Sequence, residues 1–123
     1  MHLVPAELAH RKAIDDHAVC AAIEGIGEAG RLREWADRFA LLGEHHRLAV
    51  LLAVHHAGPI AVTDLATATG IADSAVSQIL RLLRASGTVA ADKDGRIVRY
   101  RLADLRVAAL LDRMQEPQAQ ERP

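Results

Sequence analysis

The chain has 123 residues, of which 50% are apolar, 25% are charged and only three are aromatic. This length suits one domain of ordinary size, and the near balance of 15 basic and 16 acidic side chains excludes both a polybasic tail protein and an acidic disordered chain. The only cysteine, Cys20, excludes an internal disulfide framework. The N-terminus lacks the pattern of a signal peptide, and the longest apolar run, residues 48–54, is too short to span a membrane. We expect a cytoplasmic protein with no membrane contact.

Two kinds of residue are unevenly distributed along the chain. All seven histidines and the cysteine lie within residues 1–56. Residues 61–102 carry six basic and four acidic groups, whereas the segments before and after them are slightly acidic. Only the middle third of the sequence is therefore net positive.

The spacing of apolar residues predicts helices in the first half of the chain. A first helix is expected over residues 5 to about 25, followed by a break at the three glycines of residues 25–30. A second, amphipathic helix is expected over residues 31–42. A third helix opens near Glu44, and because its body is apolar on all sides we expect it to be buried.

The second half predicts a helix-turn-helix followed by a β-hairpin. Two short helices, over residues 62–69 and 73–86, are joined by a turn that contains Gly70. In the run of residues 96–102, residues 98–102 alternate apolar and basic side chains, and the run follows an Asp-Gly turn in residues 92–95, which is typical of a hairpin. A last helix is expected over residues 104–114.

The second motif helix and the hairpin carry the candidate DNA-binding residues. In a helix-turn-helix the second helix enters the major groove, and a basic hairpin beside it neutralises phosphates. A solvated charged face is the alternative, but helix pair, hairpin and local charge independently favour DNA. The candidates are Ser74, Ser77, Gln78, Arg81, Arg84, Lys93, Arg96 and Arg99.

Four stretches, residues 39–51, 62–66, 75–87 and 94–102, also carry the motifs of a known family. The most specific are Val-Ser-Gln…Leu-Arg…Gly in the third and Gly-Arg…Val…Tyr-Arg-Leu in the fourth. With them, about residues 36–114 resemble the ArsR/SmtB winged-helix repressors. The resemblance implies a homodimer joined through its first and last helices, which binds an inverted repeat in a double-stranded DNA operator and is released by an inducer, usually a metal ion.

The predicted fold is therefore mainly α, a winged helix-turn-helix with a two-stranded β-hairpin as its wing. Residues 1–30 are expected to form an N-terminal helix for dimerisation and a candidate sensor arm. Residues 31–114 are expected to form the DNA-binding domain, and the polar residues 115–123 a disordered tail.

The chain departs from the family at its familiar metal sites. Ala-Val-Thr-Asp occupies residues 61–64, where sensing cysteines are expected. On the last helix Asp104 matches, but Arg106 replaces a histidine, and Pro117 and Gln120 occupy the later ligand positions. Glu-His-His-Arg at residues 44–47 also replaces the Asp-Pro-Thr-Arg that commonly opens the buried helix.

Another set of metal donors is available in the histidine-rich half. His17 and Cys20 lie three residues apart on one helical face, and His55 and His56 end the buried helix. By analogy with relatives whose N-terminal arm supplies ligands to the other subunit, these four residues could meet across a dimer. Imidazole and thiolate favour Ni, Zn or Co over Mg or Ca. The alternatives are surface histidines and a small buried cysteine.

The sequence thus predicts a metal-responsive transcriptional regulator, a repressor that binds its operator as a homodimer. A winged-helix dimer with a non-metal input, either thiol redox chemistry at Cys20 or a protein partner, stays open as the alternative. An enzyme is excluded, because the chain has no glycine-rich phosphate loop, His-Glu-x-x-His motif or nucleophile elbow.

Overall fold

The structure is a computed structural model in which residues 13–116 are described. Their elements follow in the order α1 (Asp16–Ile26), α2 (Ala29–Leu42), α3 (His45–Ala57), β1 (Ile60–Ala61), α4 (Val62–Thr69), α5 (Asp73–Ala85), β2 (Val89–Asp94), β3 (Ile97–Leu102) and α6 (Leu105–Gln115). The chain divides within α2 into two compact units, one ending at Phe39 and one beginning at Ala40. No helix among the described residues is long and apolar enough to cross a bilayer.

Helix α1 begins later than the apolar spacing predicts. Residues 13–15 are not helical, and the carboxylate of Asp15 accepts a hydrogen bond from the backbone N–H of Ala18 at 3.1 Å. Such a cap satisfies an N–H that has no partner within the helix, and it therefore fixes the start. The predicted continuous helix from residue 5 is wrong at residues 13–15, and its earlier part lies outside the described residues.

The predicted glycine break is also shorter than expected. Gly25 is helical in α1 and Gly30 is helical in α2, so only Gly27 and Glu28 separate the two helices. Gly27 has a φ of 75°, which side-chain-bearing residues rarely adopt. The carboxylate of Glu28 accepts a hydrogen bond from the backbone N–H of Gly30 at 3.1 Å, which supports the start of α2.

The first unit leaves its apolar side chains accessible in the single chain. No residue of α1 or α2 is buried, and Ile26, Leu32 and Phe39 are each more than half exposed. The Trp35 and Phe39 rings lie 5.8 Å apart, and the Arg38 guanidinium lies 5.2 Å from the centre of the Trp35 ring. The predicted stripe on α2 is thus present: within one chain its earlier residues stay accessible, whereas its last residue, Leu42, packs against the buried core.

The second unit is built around α3, as its apolar composition predicts. Val50, Leu51 and Val54 are buried, and α4, α5, α6 and β3 all contact this helix. The buried core consists of Val50, Leu51, Val54, Leu65, Ala66, Val76, Leu80, Leu83, Val89, Val107 and Leu111. Burial of these branched side chains is the main source of stability for the helix-turn-helix.

The β-hairpin is confirmed, but the sheet has three antiparallel strands in the order β1-β3-β2. Strand β1 pairs Ile60 with Tyr100 and Ala61 with Arg99, so the two-stranded prediction lacked one edge strand. Strand β2 also continues to Asp94, opposite Ile97. The turn therefore lies at residues 95–96, where Gly95 has a φ of 63°, and the predicted turn at residues 92–95 is wrong.

The last two helices agree with the sequence except at their ends. Helix α5 stops at Ala85, one residue before the predicted end. Helix α6 extends through Gln115, so the predicted tail begins too early; residues 117–123 lie outside the described part of the chain. The carboxylate of Asp104 caps α6 by accepting hydrogen bonds from the backbone N–H groups of Arg106 and Val107.

The unusual opening of α3 forms a double cap between two helices. The Glu44 carboxylate accepts hydrogen bonds from the backbone N–H groups of His46 at 2.7 Å and Arg47 at 3.1 Å. The Arg47 guanidinium donates to the carbonyl oxygens of Ala40 and Leu41 at 3.1 and 3.0 Å, near the end of α2. The hydrogen bond from His46, followed by that from Arg47, holds the pKa of Glu44 below its ordinary value of 4.5.

Replacing Leu51 by alanine tests the central position of α3. The side chain is fully buried, so we expect Leu51→Ala to lower the free energy of unfolding by about 2–5 kcal/mol. The control Leu82→Ala, at an exposed position of α5, should cost less than about 1 kcal/mol. Chemical denaturation at one fixed protein concentration measures both. Equal losses would contradict this placement of the core.

Replacing Glu44 by glutamine tests the cap of α3 through its pH dependence. A carboxyl group whose pKa is lower in the folded than in the unfolded chain stabilises the fold at pH values above its pKa in the unfolded chain. This stabilisation is lost as the pH falls through its pKa in the folded chain. The difference in unfolding free energy between the unmodified chain and Glu44→Gln should therefore shrink on acidification from about pH 7 to about pH 3. The control is Glu24→Gln, at an exposed position of α1. A difference that stays constant with pH would contradict the role of the Glu44 charge.

Candidate functional site

Helix α5 separates its apolar and polar residues sharply. Val76, Leu80 and Leu83 are buried on one side. Ser74, Gln78, Arg81 and Arg84 are exposed, and Ser77 is half-buried at the boundary. Because the apolar side is held by the core, the polar side of this helix faces solvent and is available to a ligand.

The hairpin places a second set of charges in the same unit. Lys93 and Arg96 are exposed around the turn. Arg99 lies 3.5 Å from the Asp94 carboxylate, and Arg101 donates to Asp92 at 2.8 Å. Both ion pairs are largely exposed and therefore weak.

These pairs divide the six basic groups of residues 78–102 into two classes. Arg99 and Arg101 are already neutralised in part by neighbouring aspartates. The other four basic groups are Arg81, Arg84, Lys93 and Arg96. None of these four makes an ion pair with any residue of 13–116. Their positive charge is therefore available to an external anion.

A cleft of about 610 Å³ lies between α5 and β3 and is called here the α5–β3 cleft. It is lined by Ser77, Arg81, Arg84, Ala85 and Tyr100. Tyr100 is not among the predicted site residues, because it alternates with arginines and this pattern indicates an apolar, core-facing position of β3. Only the packing of α5 beside the strand brings Tyr100 next to the two arginines.

The four predicted metal ligands fall into two pairs, each within a different unit. His17 is exposed and the Cys20 side chain is half-buried, both on α1. His55 and His56 lie in the last turn of α3, where His55 is half-buried and His56 is exposed. Among residues 13–116 of one chain, no three His, Cys, Asp or Glu side chains come together as a metal site would require.

The structure gives His55 a partner that the sequence did not indicate. Its Nε2 atom lies 2.6 Å from Oδ1 of Asp112 on α6, which is 57 residues further along the chain. A carboxylate can only accept, so Nε2 donates in this hydrogen bond. The pair connects the end of α3 to α6, and it sets an oxygen ligand beside a nitrogen ligand.

Comparisons with known proteins agree with this architecture. The model of the MarR family matches residues 45–97, from the start of α3 to the start of β3. The HTH-type transcriptional regulator NmtR of Mycobacterium tuberculosis is 46% identical over 77 residues, which are 63% of this chain and 63% of the relative. The arsenical resistance operon repressor of Escherichia coli is 37% identical over 65 residues, which are 53% of this chain and 56% of that protein.

A solved structure that is similar in sequence and fold is the homodimeric winged helix-turn-helix DNA-binding domain of Mb0332 from Mycobacterium bovis, described as a possible ArsR-family transcriptional regulator. The two chains are 33% identical with a TM-score of 0.62, over 71% of this chain and 80% of the other. The matched part spans a smaller share, 63% and 56%, of the two curated relatives. With this fold and these similarities, the chain belongs to the ArsR/SmtB family of winged helix-turn-helix transcriptional regulators, which is not a family of enzymes.

Proposed function

We propose that the protein is a transcriptional repressor that binds double-stranded operator DNA through α5 and the β2–β3 hairpin. The observation that carries this proposal is the solvent-facing polar side of α5, which borders a cleft with two arginines that have no ion pair within residues 13–116. An α-helix fits the major groove, and unpaired basic groups beside it supply the contacts to phosphates.

The candidate residues divide into two roles. Ser74, Ser77 and Gln78 lie in the first half of α5, where recognition helices contact base edges. We assign the four unpaired basic groups and Arg99 to phosphate contacts, which fix orientation but carry no sequence information. These assignments predict different consequences for substitutions in the two groups.

We further propose a homodimer as the functional unit. The Mb0332 domain is homodimeric by its description. In the present chain, exposed apolar residues lie on α1, α2 and α6, including Ile26, Leu32, Phe39, Leu105 and Met114. A second copy would cover such surfaces, and two recognition helices related by two-fold symmetry would bind an inverted repeat.

The finer proposal is a metal input through His17, Cys20, His55 and His56, now with Asp112 as an additional donor. Nitrogen, sulfur and carboxylate donors suit Ni, Zn or Co. These residues are of the types that bind such metals, but the described part of one chain brings donors together only in pairs, whereas a metal site needs three or four. A bound divalent ion would supply a positive charge shared by its ligands, and at His55 it would act on the contact between α3 and α6. The alternative input, oxidation of Cys20, would leave the His55–Asp112 pair unchanged.

The DNA-binding roles can be separated with two variants of the protein. A duplex selected from a random library and a duplex of random sequence serve as probes. Gln78→Ala should lose about 1–3 kcal/mol on the selected duplex and little on the random one, because it removes a base contact. Arg96→Ala should weaken both, and it should lower the slope of log affinity against log salt by about one.

The control for these measurements is Arg113→Ala. This variant removes an equal charge from an exposed position on α6, where Arg113 faces Glu116 at 3.8 Å. It should leave both affinities and the salt slope unchanged. The proposal fails if the unmodified protein binds duplex DNA with no dependence on salt, or if Arg113→Ala and Arg96→Ala act alike.

The metal input is tested by titrating Ni, Zn and Co into the protein and measuring DNA affinity in parallel. His17→Ala and Cys20→Ser should leave metal-free DNA binding intact and reduce the metal effect. His55→Ala and Asp112→Asn should also reduce the metal effect. With Co, the thiolate absorption band should disappear in Cys20→Ser. The control His45→Ala, at an exposed position of α3, should respond like the unmodified protein. An undiminished response in all four variants would refute the metal proposal without affecting DNA binding.

A further inference from the structure

The α5–β3 cleft combines charge and neutral hydrogen-bonding groups in one place. Ser77, Arg81, Arg84 and Ala85 follow one another at spacings of four, three and one residues, so they lie along one side of α5. Tyr100 closes the opposite side of the cleft from β3. Residues of α5 and of β3, two elements that are separated in sequence by β2, thus line a single concave surface.

Tyr100 is held firmly at this position. Strand β3 is the middle strand of the sheet, and Tyr100 lies opposite Ile60 on β1 and Ala91 on β2. The residue is half-buried and packs against the core cluster. Its hydroxyl makes no hydrogen bond with any residue of 13–116, although a tyrosine in a packed environment usually finds a partner for this group.

The two arginines of the cleft also lack a protein partner. The two acidic residues of β2, Asp92 and Asp94, are engaged by Arg101 and Arg99. Arg81 and Arg84 make no ion pair within the described residues and repel each other at a spacing of three. An anion in the cleft would relieve this repulsion and would accept from the donors on both sides.

We propose that the α5–β3 cleft binds one phosphodiester group of the DNA backbone, with Arg84 and Arg81 as charged donors and the Tyr100 hydroxyl as a neutral donor. This inference rests on the proposed function and adds Tyr100 as a positioning residue. When α5 lies in a major groove, the phosphates that border the groove run beside the helix, which is where the cleft opens. Contact from both α5 and β3 to one phosphate would fix the helix and the hairpin in register on the duplex.

The test uses Tyr100→Phe, Arg84→Gln and the double variant on the selected and random duplexes. Tyr100→Phe keeps the ring and removes only the hydroxyl, so it should lower affinity about three- to tenfold on both duplexes. Its salt slope should equal that of the unmodified protein, because a neutral donor releases no counterion, whereas Arg84→Gln should lower the slope by about one. The double variant should lose less than the product of the two single losses, since both groups bind the same phosphate.

Several outcomes overturn the inference. Unchanged binding by Tyr100→Phe, a loss restricted to the selected duplex, or losses that multiply in the double variant would each exclude a shared phosphate. Saturable binding of inorganic phosphate at micromolar concentration would instead indicate a site for a small phosphorylated molecule.

If Arg96→Ala weakens binding while Tyr100→Phe does not, the cleft proposal fails and the repressor proposal stands. If the unmodified protein shows no salt-dependent DNA binding, both fail. Unfolding measurements on Tyr100→Phe should match the unmodified protein.

Discussion

Burial of Val76, Leu80 and Leu83 against the core determines how α5 is presented. The helix has one strongly apolar side, and α3 provides an apolar surface on which that side can pack. When this side is packed, Ser74, Gln78 and the arginines on the opposite side of α5 are exposed to solvent. The exposure of the candidate interface is therefore a consequence of core packing and requires no further interaction.

Helix α3 is joined to its neighbours by polar contacts near both ends. Near its start, Arg47 donates to two carbonyl groups at the end of α2, and near its other end His55 donates to Asp112 on α6. The same helix packs against α4 and α5. We therefore expect a ligand that changes the His55–Asp112 contact to act on the element that supports α5, which is the physical requirement for coupling an input to DNA affinity.

The sequence predicted the elements whose signals are local and repeated. The apolar body of α3, the period of α5 and the alternation in β3 each extend over several residues, and all three elements are present. Strand β1 has only two residues and thus no periodicity to detect; it exists because Ile60 and Ala61 pair with β3. The start of α1 was missed because the Asp15 cap outweighs the weak apolar spacing before it.

The candidate site was predictable only where its residues lie on one element. The polar side of α5 follows from its helical period, whereas Tyr100 enters the α5–β3 cleft through the packing of a strand beside the helix. Likewise, nothing in the neighbourhood of His55 in sequence indicates Asp112. Contacts between distant residues depend on the assembled fold, so the sequence named the donors on α1 and α3 but not the partner on α6.

The most direct measurement of the central claim is amide hydrogen exchange of the intact protein with and without duplex DNA. Bound DNA should slow exchange in the first half of α5 and in the β2–β3 hairpin, around the turn at Gly95. The α4 residues that face the core should show little direct change. Unchanged exchange in both α5 and the hairpin at saturating DNA, or slowing confined to α1 and α2, would contradict the claim that this surface binds DNA.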